Sequence, residues 1–406
     1  MIIWILALLL FACLGFVGYR MGGIRAACSL LGLLFASLLA FPFGRLLNPI
    51  LPLIGIKNPF LIWITGPFII FLVILIAFKI VGLFVHRKVD VYYKYKAGDL
   101  RMALWHRLNA KLGLCIGLAN GAVYLILFSL VIYVFSYATV QMAVGDNATG
   151  MFKTLNLLGR QVQSSGMNKV ATAVDPMPPS YYQAADVIGL IYQNDLLESR
   201  LSRYPAFLSL GERAEFQDIA SDKEFTELRQ RQPSFAEIAN HPKAQAIINN
   251  PDLLREIWAA AEPNLKDLEA FLKTGQSARY DEEKILGRWT FDLNGVLALI
   301  KKNKPTLGST EMQRLRALIG LALGNSTFIA TPGKEAIIKK YGTVTPATKA
   351  KPQATVDYRN LQGQWSADGS NYQLAISEKP GLQVSVEGDR LTITGDTWPL
   401  RFSRNF

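Results

Sequence analysis

Apolar residues fall into three patterns along the chain. Residues 2–19, 24–43, 60–78 and 112–137 are almost uninterrupted apolar runs. At about 1.5 Å per residue, each is long enough to cross a hydrocarbon core of roughly 30 Å. They predict four transmembrane helices. The first does not read as a cleaved signal peptide, because no basic residue precedes it, no small-x-small site closes it and further apolar runs follow. Between residues 181 and 271 the spacing becomes helical, as in Val187, Leu190, Ile191, Leu197 and Leu201. Pro233, Pro242, Pro251 and Pro263 each follow a polar residue, and proline is preorganised for the first helical position. They mark the starts of short helices, which are marginal alone and need a shared core.

The third pattern is alternation. Tyr372-Gln373-Leu374-Ala375-Ile376, Leu382-Gln383-Val384-Ser385-Val386, Leu391-Thr392-Ile393-Thr394 and Leu400-Arg401-Phe402-Ser403 have period two. With turn residues at 379–381 and 387–389, they predict antiparallel hairpins. Residues 311–323 read as an amphipathic helix, and 341–360, rich in Thr, Ala, Lys and Pro, as a loop or linker. Further strands near 327–330 and 336–340 complete a small sheet or incomplete barrel. The expected fold is a membrane protein with a four-helix transmembrane domain (residues 1–140) and a linker (141–180). An all-α short-helix module (181–280) and a mainly-β, α+β C-terminal domain (281–406) follow.

Charge sharpens this division. The chain of 406 residues carries 43 Lys+Arg against 31 Asp+Glu, a formal charge of +12, yet only 18% of it is charged. A soluble chain would carry about 25%. Residues 1–137 hold 12 basic and 2 acidic residues, the remainder 31 and 29. Most of the positive charge thus belongs to the membrane third, which argues against nucleic acid as a partner. Lys and Arg accumulate on the cytoplasmic side of short connections. Residues 86–111 contain Arg87, Lys88, Lys94, Lys96, Arg101, Arg107 and Lys111, and Arg20 and Arg25 share their side by parity. The opposite side receives Arg45 and Lys57. The expected topology is multi-pass in the bacterial inner membrane, N-terminus out, with the domains after Tyr137 extracytoplasmic (periplasmic). Lys79 snorkels at its helix end. The connection 44–59, with Pro49, Pro52 and Pro59 among apolar residues, cannot be one helix, and it lies in the interface or dips into a protein-lined cavity.

Small residues indicate where the helices touch. Gly113, Gly117 and Gly121 recur every four residues, as do Gly18, Gly22 and Ala26, and Gly32, Ala36 and Ala40. Such faces allow the close approach on which helix association in lipid depends. Whether the contact lies within one chain or between copies stays open, and with it a homo-oligomer. Asn120, beside the stripe, either hydrogen-bonds between helices or lines a pore.

Gly22-Gly23-Ile24-Arg25-Ala26-Ala27-Cys28-Ser29-Leu30 resembles the G-x-x-R-x-x-x-S-L segment of the colicin V production protein (CvpA) family, with Gly22, Arg25, Ser29 and Leu30 at its motif positions. The segment from Leu112 to Gly121, which includes Asn120, is similar to that family's L-G-x-x-x-G-x-x-x-G. The resemblance covers residues 1–140. An acidic residue usual in the family's first helix is missing, an Asp-Arg pair is replaced by Asn109-Ala110, and Asn120 stands where the family has a basic residue. The resemblance implies a bacterial inner-membrane protein linked to colicin V production and envelope integrity.

The rest of the chain offers two weaker resemblances. Phe216, Phe235 and Leu254 are evenly spaced, and Ile219, Ile238 and Ile257 repeat the interval. Residues 238–253 resemble STI1-type short-helix repeats, which cup apolar peptides, so these six residues form a candidate peptide groove beside the plainer reading of structural helices. His241 reads as a helix cap. Gly287-Arg288-Trp289 and Gly363-Gln364-Trp365 resemble the Gly-x-Trp openings of lipocalin-like β-domains.

Catalytic chemistry is not in view. The chain has no Gly-x-Ser-x-Gly, His-Glu-x-x-His or Walker-type motif. Cys13, Cys28 and Cys115 all lie in apolar stretches, and with only His86, His106 and His241 a His-rich metal site is excluded. We expect no enzyme, no cofactor and no metal. The expected function is a membrane scaffold or accessory factor for envelope maintenance or colicin V-type toxin production and secretion, with the bilayer and envelope proteins as partners. The alternatives are an oligomeric channel or transport accessory, and a periplasmic carrier of apolar peptide or lipid.

Overall fold

The computed structural model describes residues 2–96, 98–142, 150–231, 233–345, 355–369, 371–376, 379–395 and 399–404. The chain divides into two compact units, Met1–Gln193 with Asp222–Trp258, and Asn194–Ser221 with Ala259–Phe406.

In the first unit, α1 (Ile2–Met21), α2 (Gly23–Gly44), α3 (Pro59–Lys96) and α4 (Asp99–Gln141) are all long and apolar enough to span a membrane. Two 3-10 turns, Arg45–Leu47 and Leu51–Ile54, fill the proline-rich connection. The basic stretch 86–111 is not a loop: α3 and α4 run through it and break near Gly98, whose φ is 71°. With 38 and 43 residues, they reach about 57 and 64 Å, well beyond a hydrocarbon core. Lys and Arg are good helix formers, so leaving the membrane does not end either helix.

Close backbone approach joins the helices in pairs. A Cβ added at Gly18 would lie 2.8 Å from Gly117 Cα, bringing α1 onto α4. A Cβ at Gly32 would lie 2.6 Å from Phe78 Cβ, bringing α2 onto α3.

The expected linker at 141–180 differs from what folds. Residues 143–149 lie outside the described residues, but α5 (Gly150–Ser164) and α6 (Met167–Ala173) are helices, followed by α7 (Pro179–Gln193). They bury Val162, Ala171, Ala185 and Val187. Gly159 faces Ser136, and a Cβ at Gly189 would meet Gln141 Cβ at 2.8 Å, so α5 and α7 both press on the last turns of α4. Polar pairs fix the angle: Tyr137 Oη and Gln141 Nε2 donate to Asp186 Oδ1 at 3.0 and 3.2 Å, and Tyr181 Oη donates to the Val134 carbonyl at 2.7 Å. Tyr181 also stacks on Trp63 of α3.

The expected helical module at 181–280 is divided between the units. α8 (Asp195–Leu201) and α9 (Ala214–Ala220) belong to the second. α10 (Lys223–Gln230), α11 (Phe235–Asn240), α12 (Pro242–Ile248) and most of α13 (Pro251–Ala261) belong to the first. α14 (Leu265–Thr274) returns to the second. Asp222, Ser234, His241 and Asn250 accept backbone N–H bonds at the starts of α10 to α13, so caps rather than a repeated core set these boundaries.

The second unit is built on a closed antiparallel barrel. β1 (Gly287–Phe291) leads to α15 (Leu293–Asn303) and α16 (Ser309–Leu323). Then follow β2 (Thr327–Ala330), β3 (Glu335–Thr345), β4 (Thr355–Asp368), β5 (Asn371–Ile376), β6 (Lys379–Glu387), β7 (Arg390–Thr394) and β8 (Leu400–Arg404). Each strand pairs with the next, and β8 closes on β1 through Trp289↔Arg404 and Phe291↔Phe402. The incomplete barrel and the loop at 341–360 are therefore corrected. β3 continues to Thr345 and β4 begins at Thr355, while 346–354 lie outside the described residues. The polar composition of 341–345 and 355–360 hides these strands, because Asp357–Asn360 are exposed on both faces and show no alternation. The residues at 379–381 likewise open β6 rather than a turn. In β3 the register shifts between Ile338 and Tyr341, where Lys340 takes a positive φ of 52° and donates its N–H to Asn360 Oδ1 at 3.1 Å.

Trp289, Phe328, Leu374, Val384, Leu391, Ile393 and Phe402 fill one continuous core. Trp289 Nε1 donates to the Ile285 carbonyl at 2.9 Å, and Trp365 Nε1 to the Thr331 carbonyl at 3.0 Å. The Arg404 guanidinium covers the Trp289 ring at 4.5 Å. Glu212, just before α9, pairs with Arg288 and Lys339 of the barrel.

Beside the barrel, Asp267 of α14 accepts hydrogen bonds from Tyr204 Oη at 2.8 Å and Ser277 Oγ at 2.6 Å. Tyr204 is fully buried. Burial first, then the bond to Asp267 and its charge, raise its phenol well above the usual tyrosine range. A raised folded pKa means stability present below the unfolded value of about 10 and lost as pH rises through the folded one. Tyr204→Phe is expected to cost about 1 kcal/mol at neutral pH, and to shrink the loss of stability above about pH 10. Denaturant melts of the full chain at neutral and alkaline pH check both, and identical alkaline slopes would exclude this linkage.

Candidate functional site in the membrane unit

The glycines of the two motifs and Asn120 gather where α1, α2 and α4 meet. Gly22 turns the chain between α1 and α2 with a φ of 82°, in the left-handed region that glycine favours. Its N–H donates to the Gly18 carbonyl at 2.9 Å. A Cβ there would lie 3.0 Å from Asn109 Cγ, so the turn is sealed by α4. Gly113 faces the same turn, its added Cβ lying 2.9 Å from the Gly22 carbonyl carbon, and Gly121 approaches Phe11 at 2.9 Å. Gly18, Gly22, Gly113, Gly117 and Gly121 thus form one contact within the chain. Ala26, in register with the first two, is buried on α2.

Two asparagines tie α2 to α4. Asn109 Oδ1 accepts the Ile24 N–H at 3.4 Å, taking up one of the free amides at the start of α2. Asn120 Nδ2 donates to the Ala26 carbonyl at 3.2 Å. Both side chains are nearly enclosed, at 6% and 5% exposure. These positions are departures from the family pattern, and here neutral amides make the interhelical bonds. Asn120 Oδ1 has no partner. The role of Asn109 was not legible in sequence, since nothing local says which helix its amide faces.

Arg25, Ser29 and Leu30 are half-buried along α2. Gly82 of α3 lies against Arg25 and Cys28, with its added Cβ 3.7 Å from Arg25 Cα and 2.9 Å from Cys28 Cβ. Arg25 Nε is buried without a hydrogen-bond partner, and so are His86 Nδ1 on α3 and Trp105 Nε1 on α4. Tyr93 and Trp105 stack with centroids 4.7 Å apart, closing α3 onto α4 at this end.

The candidate groove residues are not brought into one compact unit. Phe216 and Ile219 are on α9 of the second unit, and Phe235, Ile238, Leu254 and Ile257 on α11 and α13 of the first. Phe235 is exposed with one edge against Phe152, and the fully buried residue of α13 is Leu253, one position off the expected register. His241 is a cap, its Nδ1 accepting the Lys243 N–H at 3.3 Å. Donor atoms of Asp222, Glu224 and His241 lie within 4.8 Å of one another. Asp222 and His241 are both engaged as caps, and Glu224 is exposed.

Residues 3–152 match the family model described as colicin V production protein. No curated protein and no solved structure matches the chain.

Proposed function

We propose, from the match of residues 3–152 to that family model, that the chain is an inner-membrane scaffold or accessory factor for envelope maintenance or colicin V-type toxin production and secretion. Its C-terminal unit serves to bind envelope partners. One observation carries this reading: a single chain joins a tightly packed four-helix membrane unit to a separate, well-filled barrel unit. The two units meet different solvents, as an anchor and a recognition module do. The glycine stripe is consumed by α1–α4 packing within the chain, which favours a scaffold over a pore built between copies. Nine basic residues flank the α1–α2 turn and the α3–α4 connection, which favours that end as cytoplasmic and the C-terminal unit as extracytoplasmic.

The test has two parts. Protease added to intact spheroplasts is expected to digest the C-terminal unit from outside, and digestion only after lysis would reverse the orientation. Cross-linking in intact cells followed by affinity purification of the full chain is expected to recover envelope proteins; recovery of none would remove the scaffold reading.

A further inference from the structure

Three buried side-chain nitrogens at one end of the membrane unit have no hydrogen-bond partner: Arg25 Nε on α2, His86 Nδ1 on α3 and Trp105 Nε1 on α4. Arg25 sits against Gly82, one helical turn before His86. Trp105 lies one turn before Asn109, which bonds the backbone beside Arg25. Arg25, Asp90 and His106 all lie within electrostatic range of His86. The start of α2 is thus flanked by both other helices, each offering an unused nitrogen. Buried polar groups in folded proteins nearly always find partners. A set of cationic and neutral donors left over together is complementary to an anion.

The surroundings indicate which anion. These residues stand at the end of the apolar spans, where α3 and α4 pass into the segment holding Arg87, Lys88, Lys94, Lys96, Arg101, Arg107 and Lys111. That is the depth of lipid phosphates. Just inside it, Ile80, Val81, Phe84 and Val85 of α3 and Leu108 and Leu112 of α4 expose apolar side chains on which acyl chains can lie. Arginine suits phosphate oxygens because its planar fork donates several N–H groups at once. We propose that Arg25, His86 and Trp105 form a binding site for the phosphate headgroup of an anionic phospholipid. The site does not depend on the scaffold reading.

The test is native mass spectrometry of the delipidated full chain in detergent, titrated separately with phosphatidylglycerol, phosphatidylcholine and inorganic phosphate. Phosphatidylglycerol is expected to bind roughly tenfold more tightly than phosphatidylcholine, because the two share the phosphodiester and the choline cation of the latter is repelled by Arg25. Arg25→Gln is expected to abolish that preference. Trp105→Phe keeps the ring stacked on Tyr93 and removes only the N–H, so it is expected to weaken the preference severalfold with the fold intact; it decides the matter if Arg25→Gln does not fold. Lys94→Gln, on the exposed part of α3, is expected to leave the preference unchanged. An undiminished preference in Trp105→Phe and Arg25→Gln, or an equal loss in Lys94→Gln, would overturn the site in favour of a diffuse basic surface. Inorganic phosphate binding as tightly as phosphatidylglycerol would overturn the lipid as its ligand.

Discussion

Gly117→Leu is expected to unseat α1 from α4 and to cost about 3 kcal/mol, the upper end for overpacking. A Cβ at this position would lie 3.1 Å from Gly18 Cα and press on the Leu14 carbonyl. Both obstacles are helix backbone, so no rotamer change relieves the clash, and the leucine adds three more carbons. Gly15→Ala, on α1 at the same helix contact, is the control. Its added methyl would meet Leu118 Cδ2 at 3.1 Å, a side-chain end that can move, and the expected cost is below about 1 kcal/mol. Unfolding of the full chain in detergent, followed by loss of helical signal and of protease resistance, measures both. Equal stability of Gly117→Leu and wild type would contradict the contact. A wild-type oligomer dissolved by this substitution without loss of monomer stability would place the stripe between copies.

The second large effect belongs to the barrel. Trp289→Ala is expected to cost about 3–5 kcal/mol. The indole is fully enclosed, its N–H is spent on the Ile285 carbonyl, and its face carries the Arg404 guanidinium. Arg404 also donates to the Lys284 and Leu286 carbonyls at 2.8 and 3.2 Å, so removing the ring leaves a half-buried cation over a void beside the closing β8–β1 seam. Trp289→Phe keeps most of the packing and is expected to cost roughly half as much, chiefly through the lost hydrogen bond and weaker cation–π contact. Denaturant titration of the full chain, reading protease resistance of residues 285–404, separates these outcomes. A Trp289→Ala chain as resistant as wild type would refute this role of the indole.

Much of this architecture is written locally. Four apolar runs announce four spans because a bilayer demands an uninterrupted apolar length. The alternation at Tyr372–Ile376 and Leu391–Thr394 announces strands because one side of each faces a core. Gly113, Gly117 and Gly121 announce a contact, but small-residue spacing does not name its partner; Gly18 and Gly22 became that partner only in three dimensions. The first half of β4, up to Asn360, reads as a linker because of the Thr, Lys and Pro around it, although Gly363-Gln364-Trp365 in its second half reads as the opening of a β-domain; barrel closure rests on the distant pairing of Phe291 with Phe402, for which no local pattern exists. The evenly spaced Phe216, Phe235 and Leu254 show the opposite error, a regular interval that the fold does not use as one surface. Asn109 and Asn120 stood out as departures from a family pattern, yet their work on the α2 backbone follows from which helix lies opposite. The nitrogens of Arg25, His86 and Trp105 sit on three helices, so neither their juxtaposition nor their lack of acceptors could be read along the chain.

Closing β8 on β1 also limits how the C-terminal unit can recognise anything. An open sheet offers a row of unpaired N–H and C=O groups at its edge, and many recognition modules capture extended peptides by adding them as one more strand. Here every strand has two neighbours, from β1 around to β8. Within the ring, strand donation is therefore closed to a partner, and so is edge-to-edge sticking; only the extension in which Tyr341–Thr345 of β3 and Thr355–Arg359 of β4 pair solely with each other keeps open edges. Any recognition by the ring itself has to be written in side chains, on the barrel wall, its loops or the helices inserted between β1 and β2, and a peptide strand could be added only at the β3–β4 extension.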